Sequence, residues 1–228
     1  MLLKVGSKGE PVKILQRALK ILDDGIFGVC TREAVMAYQR EHGLVVDGIV
    51  GEKTWTQITK SSNLMSARRI DEIIVHCTAT PEGQNKTVEQ IRREHMLPKS
   101  KGGNGWSDIG YHFVIDLNGH VHNGRSVQIA GAHVSGHNTH SIGVVYVGGL
   151  ENVPGVPYSK LKPKDTRTEA QKIALRGLLK ELHDLYPKAE IKGHRDCSPD
   201  KNGDGVISPW EWLKACPSFD CLTEYKDL

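Results

Sequence analysis

The sequence predicts an α/β domain with a central mixed sheet flanked by helices, preceded by a small all-α domain of three helices. Three observations carry this. From residue 68 onward, short apolar runs alternate with longer amphipathic segments opened by Thr-x-x-Gln capping boxes. Residues 2 to 59 instead show helical spacing interrupted by two glycine turns of the same pattern. Between them, residues 60 to 67 are small and polar without a period, which reads as a linker. The expected division is a first domain at 1–62, a linker at 63–67 and a second domain at 68–228.

A chain of 228 residues suits one to two domains, and 38% apolar residues suffice for real cores. No run reaches the roughly 18 apolar residues of a membrane span, so membrane insertion is not expected. Thirty basic against 27 acidic residues leave +3, too slight a surplus to argue for nucleic-acid binding. The opening Met-Leu-Leu-Lys-Val-Gly-Ser-Lys has no secretory h-region, so synthesis in a reducing cytoplasm without a signal peptide is the expectation. Five cysteines without regular spacing then suit ligands or free thiols better than bridges. Histidine occurs 11 times, and all but His42 lie between 76 and 194, a hint of metal or proton chemistry there.

In the first part, Pro11 suits the opening turn of a helix whose apolar stripe is Val12, Leu15, Leu19 and Leu22. Ala34 and Tyr38 mark a second helix, Trp55 and Ile58 a short third. Asp24-Gly25-Ile26-Phe27-Gly28 with Thr31 recurs, 23 residues on, as Asp47-Gly48-Ile49-Val50-Gly51 with Thr54. Each copy reads as a tight turn leading into a helix capped near its threonine. In the second part, 70–77 reads as a buried strand, and Thr87 to Gln90 opens a helix running toward Met96. Lys99 to Gly105 reads as a flexible insertion. Segments 111–115 and 120–122 flank Asn118-Gly119 as a hairpin, and 142–147 is a second buried strand. Thr168 to Gln171 caps a helix that Pro187 ends, and 191–194 is the last strand.

A catalytic zinc site needs three protein ligands and an open position. His76 and His194 close two strands, and Cys216 stands before Pro217, where a turn exposes its sulfur. Spacing alone does not separate these histidines from His112, His122 or His133. A structural thiolate site from Cys197, Cys216 and Cys221 is a further arrangement, although no Cys-x-x-Cys pair exists.

Two resemblances sharpen the reading. Gly-Ser-Lys-Gly-Glu-Pro-Val-Lys-Ile-Leu-Gln at 6–16, followed by the two turns, resembles the peptidoglycan-binding domain 1 family, which implies a cell-wall anchor. Val75-His76-Cys77-Thr78-Ala79-Thr80, Gly110-Tyr111-His112-Phe113-Val114-Ile115, Gly131-Ala132-His133, Gly136-His137-Asn138, Ser141-Ile142-Gly143-Val144, Gly193-His194-Arg195-Asp196 and Lys214-Ala215-Cys216-Pro217 occur in the order of the type 2 N-acetylmuramoyl-L-alanine amidases. That group includes phage endolysins and is related to the peptidoglycan recognition proteins. The resemblance implies zinc held by His76, His194 and Cys216, catalysis by Tyr111 and Lys214, and His133 lining the substrate groove. It implies a phage-type endolysin that cleaves the bond between N-acetylmuramic acid and L-alanine, with peptidoglycan as partner; a monomer is the expected working state. The alternatives are a bacterial wall-remodelling amidase and a recognition protein that binds without cutting. Cys216 speaks against the last, since a non-catalytic relative is expected to lack the thiolate.

One stretch is not explained by that resemblance. Asp200, Asn202, Asp204, Val206 and Glu211 fall at ligand positions of a twelve-residue calcium loop, with Gly205 at its sixth position. Calcium is therefore a second expected ion. Pro209 then suits the first turn of an outgoing helix carrying Trp210, Leu213 and Lys214.

Overall fold

The computed structural model describes residues 2–19, 21–61 and 68–228. The linker expected at 63–67 lies outside the described residues. The chain divides into two compact units, Met1–Ser66 and Ala67–Leu228.

The first unit holds helices α1 (Glu10–Ala18), α2 (Val29–Glu41) and α3 (Glu52–Ser61) around a core of Leu3, Val12, Leu15, Phe27, Val35, Val50 and Ile58. Pro11 stands in the first turn of α1, where its missing N–H costs no bond. Leu22 departs from the expected stripe, because α1 ends at Ala18 and Leu22 is 79% exposed. The threonines are not caps. Gly28 is the N-cap of α2, and Thr31 is buried inside that helix. A glutamine explains why. Gln16 Nε2 donates to Asp24 Oδ1, the Ile26 carbonyl and Thr31 Oγ1, while its Oε1 accepts the Gly25 N–H. Gln39 repeats every one of these bonds on Asp47, Ile49, Thr54 and Gly48. Gly25 and Gly48 have φ of 73° and 70°, a conformation glycine adopts without Cβ strain.

The second unit is built on a five-stranded sheet among the described residues, in the spatial order Val121–Asn123, Phe113–Ile115, Ser141–Tyr146, Glu72–Cys77 and Glu190–Gly193. Its strands are β1 (Glu72–Cys77), β3 (Phe113–Ile115), β4 (Val121–Asn123), β5 (Ser141–Tyr146) and β7 (Glu190–Gly193). The pairings are parallel except β3 with β4, so the sheet is mixed as expected. A two-stranded ribbon pairs β2 (Thr80–Pro81) with β6 (Gly149–Leu150). β1 and β5 are buried along their whole length, which is why they read as continuous apolar runs. Helix α4 (Val88–Met96) packs Ile91 against Ile109, Val114 and Val145. Helix α5 (Glu169–Leu185) buries Leu175, Leu178, Leu179 and Leu182. Both helices open with the capping boxes read from the sequence, at Thr87 and Thr168.

Three local expectations need correction. The first strand starts at Glu72 and the hairpin strand at Phe113, each two residues later than read. The segment 99–105 is a folded turn: a short 3-10 helix at Lys99–Lys101 is followed by Gly103 N–H to Pro98 O and Gly105 N–H to Leu97 O. Finally, no helix carries Leu213 and Lys214. Pro209–Glu211 is one 3-10 turn, and the Leu213 N–H donates to Ser198 Oγ instead of continuing it. Trp212, stacked under the Arg195 guanidinium, holds the chain in that course. The short helix α6 (Cys221–Glu224) follows, tied to α5's approach by Arg167, which pairs with both Asp165 and Glu224.

Candidate metal centre and active site

The ends of parallel strands deliver the first two side chains. β1 and β7 run side by side with Val75 opposite Gly193, so His76 and His194 leave the same end of adjacent strands. The carboxyl ends of parallel strands are a common place for functional groups, because the sheet fixes their direction. Cys216 arrives from the C-terminal loop. Its carbonyl accepts the Arg195 N–H, the next carbonyl accepts the Tyr146 hydroxyl, and its Sγ accepts the Cys77 N–H at 3.2 Å. The three ligand atoms lie within 4.8 Å of one another. His76 Nδ1 is 3.2 Å from His194 Nδ1 and 3.8 Å from Cys216 Sγ.

The Ser141 hydroxyl donates to the His137 carbonyl at 2.8 Å, so its oxygen accepts from His133 Nε2 at 3.3 Å. His133 Nδ1 is then an acceptor, and His76 Nε2 donates to it at 3.0 Å. That leaves the bare Nδ1 lone pair of His76 turned toward His194 Nδ1 and Cys216 Sγ. Nitrogen and sulfur atoms facing each other in this way fit a shared cation. Zn–N and Zn–S bonds of about 2.1 and 2.3 Å in tetrahedral geometry place neighbouring ligand atoms roughly 3.4 to 3.7 Å apart.

The electrostatics agree with a neutral-imidazole site. Burial pushes His76 well below the ordinary imidazole value, and the imidazoles of His133 and His194 and the Lys214 ammonium add to it. His194 falls to about 4, from burial first and Lys214 second. Burial also pushes the Cys216 thiol up, so its thiolate needs a cation beside it. Lys214 is exposed on the loop, yet its charge is felt at His76, His194 and Cys216. Tyr111 stands just before β3 with its ring 5.1 Å from His76 and 5.4 Å from His95. Burial raises its phenol above the usual range.

The remaining histidines sort by their partners. His112 is fully buried between the Gly143 N–H on Nδ1 and the Ile129 carbonyl on Nε2, so both its ring nitrogens are used inside the fold. His122 donates to Asp116 at 2.8 Å. His133 sits behind His76, a position that Gly143 makes room for: a Cβ there would lie 2.7 Å from the His133 ring. Cys197 donates toward the Gly193 carbonyl and Cys221 is buried, and neither belongs to a metal-ligand group among the described residues.

The acidic loop closes on itself. Asp200 accepts the N–H groups of Gly203 and Gly205, Asp204 accepts that of Val206, and Asn202 bonds Asp204. Glu211, 0% exposed, folds back to accept the N–H groups of Lys201 and Ser208. Asp200, Asp204 and Glu211 are not gathered within the 4.8 Å that the His76 group meets.

The sequence reading singled out Gly25, Gly48, Thr31 and Thr54 but missed Gln16 and Gln39. Both recur at the same 23-residue interval, which is the signal that could have found them.

Comparison with known proteins follows the same division. The family model described as N-acetylmuramoyl-L-alanine amidase (Amidase_2) matches residues 66–208, ending ahead of Lys214 and Cys216. A peptidoglycan binding domain model (PG_binding_1) matches residues 8–58. The endolysin of Enterobacteria phage K11 is 38% identical over 149 residues, 65% of this chain and 81% of its own. An uncharacterized protein of Haemophilus influenzae is 51% identical over 104 residues, 46% of this chain and 84% of its own. Among solved structures, N-acetylmuramoyl-L-alanine amidase LysC from Clostridium intestinale is similar at 24% identity and a TM-score of 0.47, over 72% of this chain and 85% of that one. No helix among the described residues is long and apolar enough to cross a membrane. With more than half its length matched, the chain belongs to the N-acetylmuramoyl-L-alanine amidase family, with a peptidoglycan binding domain ahead of the amidase unit.

Proposed function

We propose that the protein is a zinc-dependent endolysin that hydrolyses the amide between the lactyl group of N-acetylmuramic acid and L-alanine, with His76, His194 and Cys216 holding the metal. The observation that supports this most is the convergence of those three donors, with the His76 lone pair turned into the group. When bound, zinc supplies a water nucleophile near neutral pH and polarises the amide carbonyl. The rest falls to the chain's own side chains. Water adds to the carbonyl carbon, the C–N bond breaks, and the L-alanine nitrogen leaves with a proton. Lys214 steadies the oxygen as negative charge develops on it. Tyr111, whose phenol stays protonated, orients the attacking water or passes on its proton. His133 acts on His76, fixing the tautomer that frees Nδ1. The N-terminal unit holds the protein on peptidoglycan, raising the local concentration of the monomeric enzyme. The likeness to phage endolysins supports synthesis in a host cytoplasm and action on the wall after release.

The test is mass spectrometry of digested peptidoglycan together with zinc analysis. New L-alanine amino termini without new reducing ends are expected. Cys216→Ser is expected to lose zinc and lysis while staying folded, and Lys214→Ala to keep zinc and lose roughly 10²–10³ in rate. Lysis at the parental rate by Cys216→Ser overturns the ligand set.

We also infer that the loop from Asp200 to Glu211 takes calcium, through Asp200, Asn202, Asp204, the Val206 carbonyl and Glu211. The order of oxygen-bearing residues supports it, as does the return of buried Glu211 to the first turn of the loop. Calcium would tie down a segment whose ends carry His194 and Cys216. Calcium is expected to raise the melting temperature of the parent but not of Asp200→Ala. An equal response, or none, in both removes calcium from the reading.

A further inference from the structure

The loop that carries His133 to His76 also carries two other imidazoles to a carboxylate. β1 begins with Glu72, four residues before His76 and on the same face of the strand. Its side chain is only 11% exposed, and its two oxygens have different surroundings. Oε1 is held by the Lys192 ammonium of β7 at 2.7 Å. Oε2 faces His137 Nδ1 at 2.7 Å and His140 Nε2 at 3.4 Å. All three donor atoms lie within 4.8 Å of one another, as those of the His76 group do.

We propose that Glu72, His137 and His140 form a second site for a zinc-class divalent cation, weaker than the site of His76, His194 and Cys216. Two imidazole nitrogens and one carboxylate oxygen are a donor set zinc accepts with a fourth position left for water. Both histidines are partly exposed, at 27% and 34%, so an ion reaches them from solvent. Binding requires each facing nitrogen to give up its proton to the other side of the ring. For His140 that other nitrogen lies 3.3 Å from Thr139 Oγ1, a ready acceptor. Lys192 stays on Oε1, and its positive charge beside the same carboxylate makes this the weaker site.

The consequence reaches the first centre. The His137 carbonyl receives the Ser141 hydroxyl, and Ser141 in turn receives His133, which receives His76. An ion on His137 and His140 pins the segment on which that chain of bonds depends.

Asp116, His120 and His122 provide an internal control. They also place two imidazoles on one carboxylate oxygen, at 3.3 and 2.8 Å, yet their three donor atoms do not gather within 4.8 Å of one another. The experiment titrates metal-free, untagged full-length protein with Zn²⁺ by calorimetry and follows melting in parallel. Two equivalents of unequal affinity are expected for the parent and for His122→Ala. His140→Ala is expected to keep the tight equivalent alone and to lose the further rise in melting temperature at high zinc. Cys216→Ser is expected to keep the weak equivalent alone. One equivalent in the parent, two in His140→Ala, or loss of the weak equivalent in His122→Ala overturns the proposal. Should Cys216→Ser retain both while His140→Ala loses one, the second site stands and the catalytic ligand set falls.

Discussion

His76 spends both ring nitrogens, one on the ligand group and one on His133, and the second bond decides what the first can do. Without an acceptor at Nε2 the ring is free to take the other tautomer or to turn. His133→Ala is therefore expected to weaken zinc binding about 10- to 100-fold, while the metal-free protein melts near the parental temperature. Chelator competition measures the first and calorimetry the second; unchanged affinity would refute the positioning role. Gly143→Ala is expected to act the same way, because the added methyl meets the His133 ring. The convergence of His76, His194 and Cys216 was legible from family order, whereas the contact of His133 with His76 was not. A sequence gives residue types and spacing, but which ring nitrogen faces which neighbour is set by the fold of the 131–141 loop. Gln16 and Gln39 were hidden for a related reason: a glutamine on an amphipathic helix reads as solvent-facing until the turn that wraps it is seen.

Elements with strong local signals were the ones the sequence resolved. Capping boxes at Thr87 and Thr168 and the buried runs of β1 and β5 are local in origin, and packing reinforced them. The missing helix after Pro209 shows the opposite case. Its local signal was real, but Ser198 takes the Leu213 N–H that a helix would have used, and Arg195 holds the Trp212 ring beside it. The C-terminal element depends on a single cation in the same way. The Arg167 side chain is 1% exposed, lies 3.3 Å over the Phe219 ring, and pairs with Asp165 and Glu224 while bonding the Tyr225 hydroxyl. Arg167→Met removes the charge and leaves two partly screened carboxylates beside a buried ring, a loss of about 3 kcal/mol. Because α6 follows Cys216 closely, the variant is expected to bind zinc more weakly as well as to unfold at lower urea. Parental stability would show that the pairs contribute nothing net.

The two units differ in what holds them at low pH, and the difference is testable on the whole molecule. In the amidase unit His76, His112, His133 and His194 are all depressed by burial, His112 and His194 to about 4 from an unfolded value of 6.5. Between those two pH values the unfolded chain binds protons that the folded chain refuses, so stability rises with pH and falls as pH drops. For fully buried His112 alone this is about 3 kcal/mol across the interval. In the N-terminal unit the shifted groups among the described residues are Asp24 and Asp47, lowered first by the backbone N–H groups of Ile26 and Ile49 and then by the two glutamines. Their contribution is present above the unfolded value of 3.8 and is lost only below it. Acidification from pH 7 to 4.5 is thus expected to lower the melting temperature of the amidase unit steadily while leaving the N-terminal unit unmoved, separating two transitions in one thermogram of metal-free protein. With the proposed ligand set, zinc is expected to shift the first transition up at pH 7, and that gain to shrink with acid because protons compete for the same ring nitrogens. A single transition that keeps its midpoint from pH 7 to 4.5 would mean the imidazoles are protonated alike in both states, and the neutral-histidine description of the site would fall.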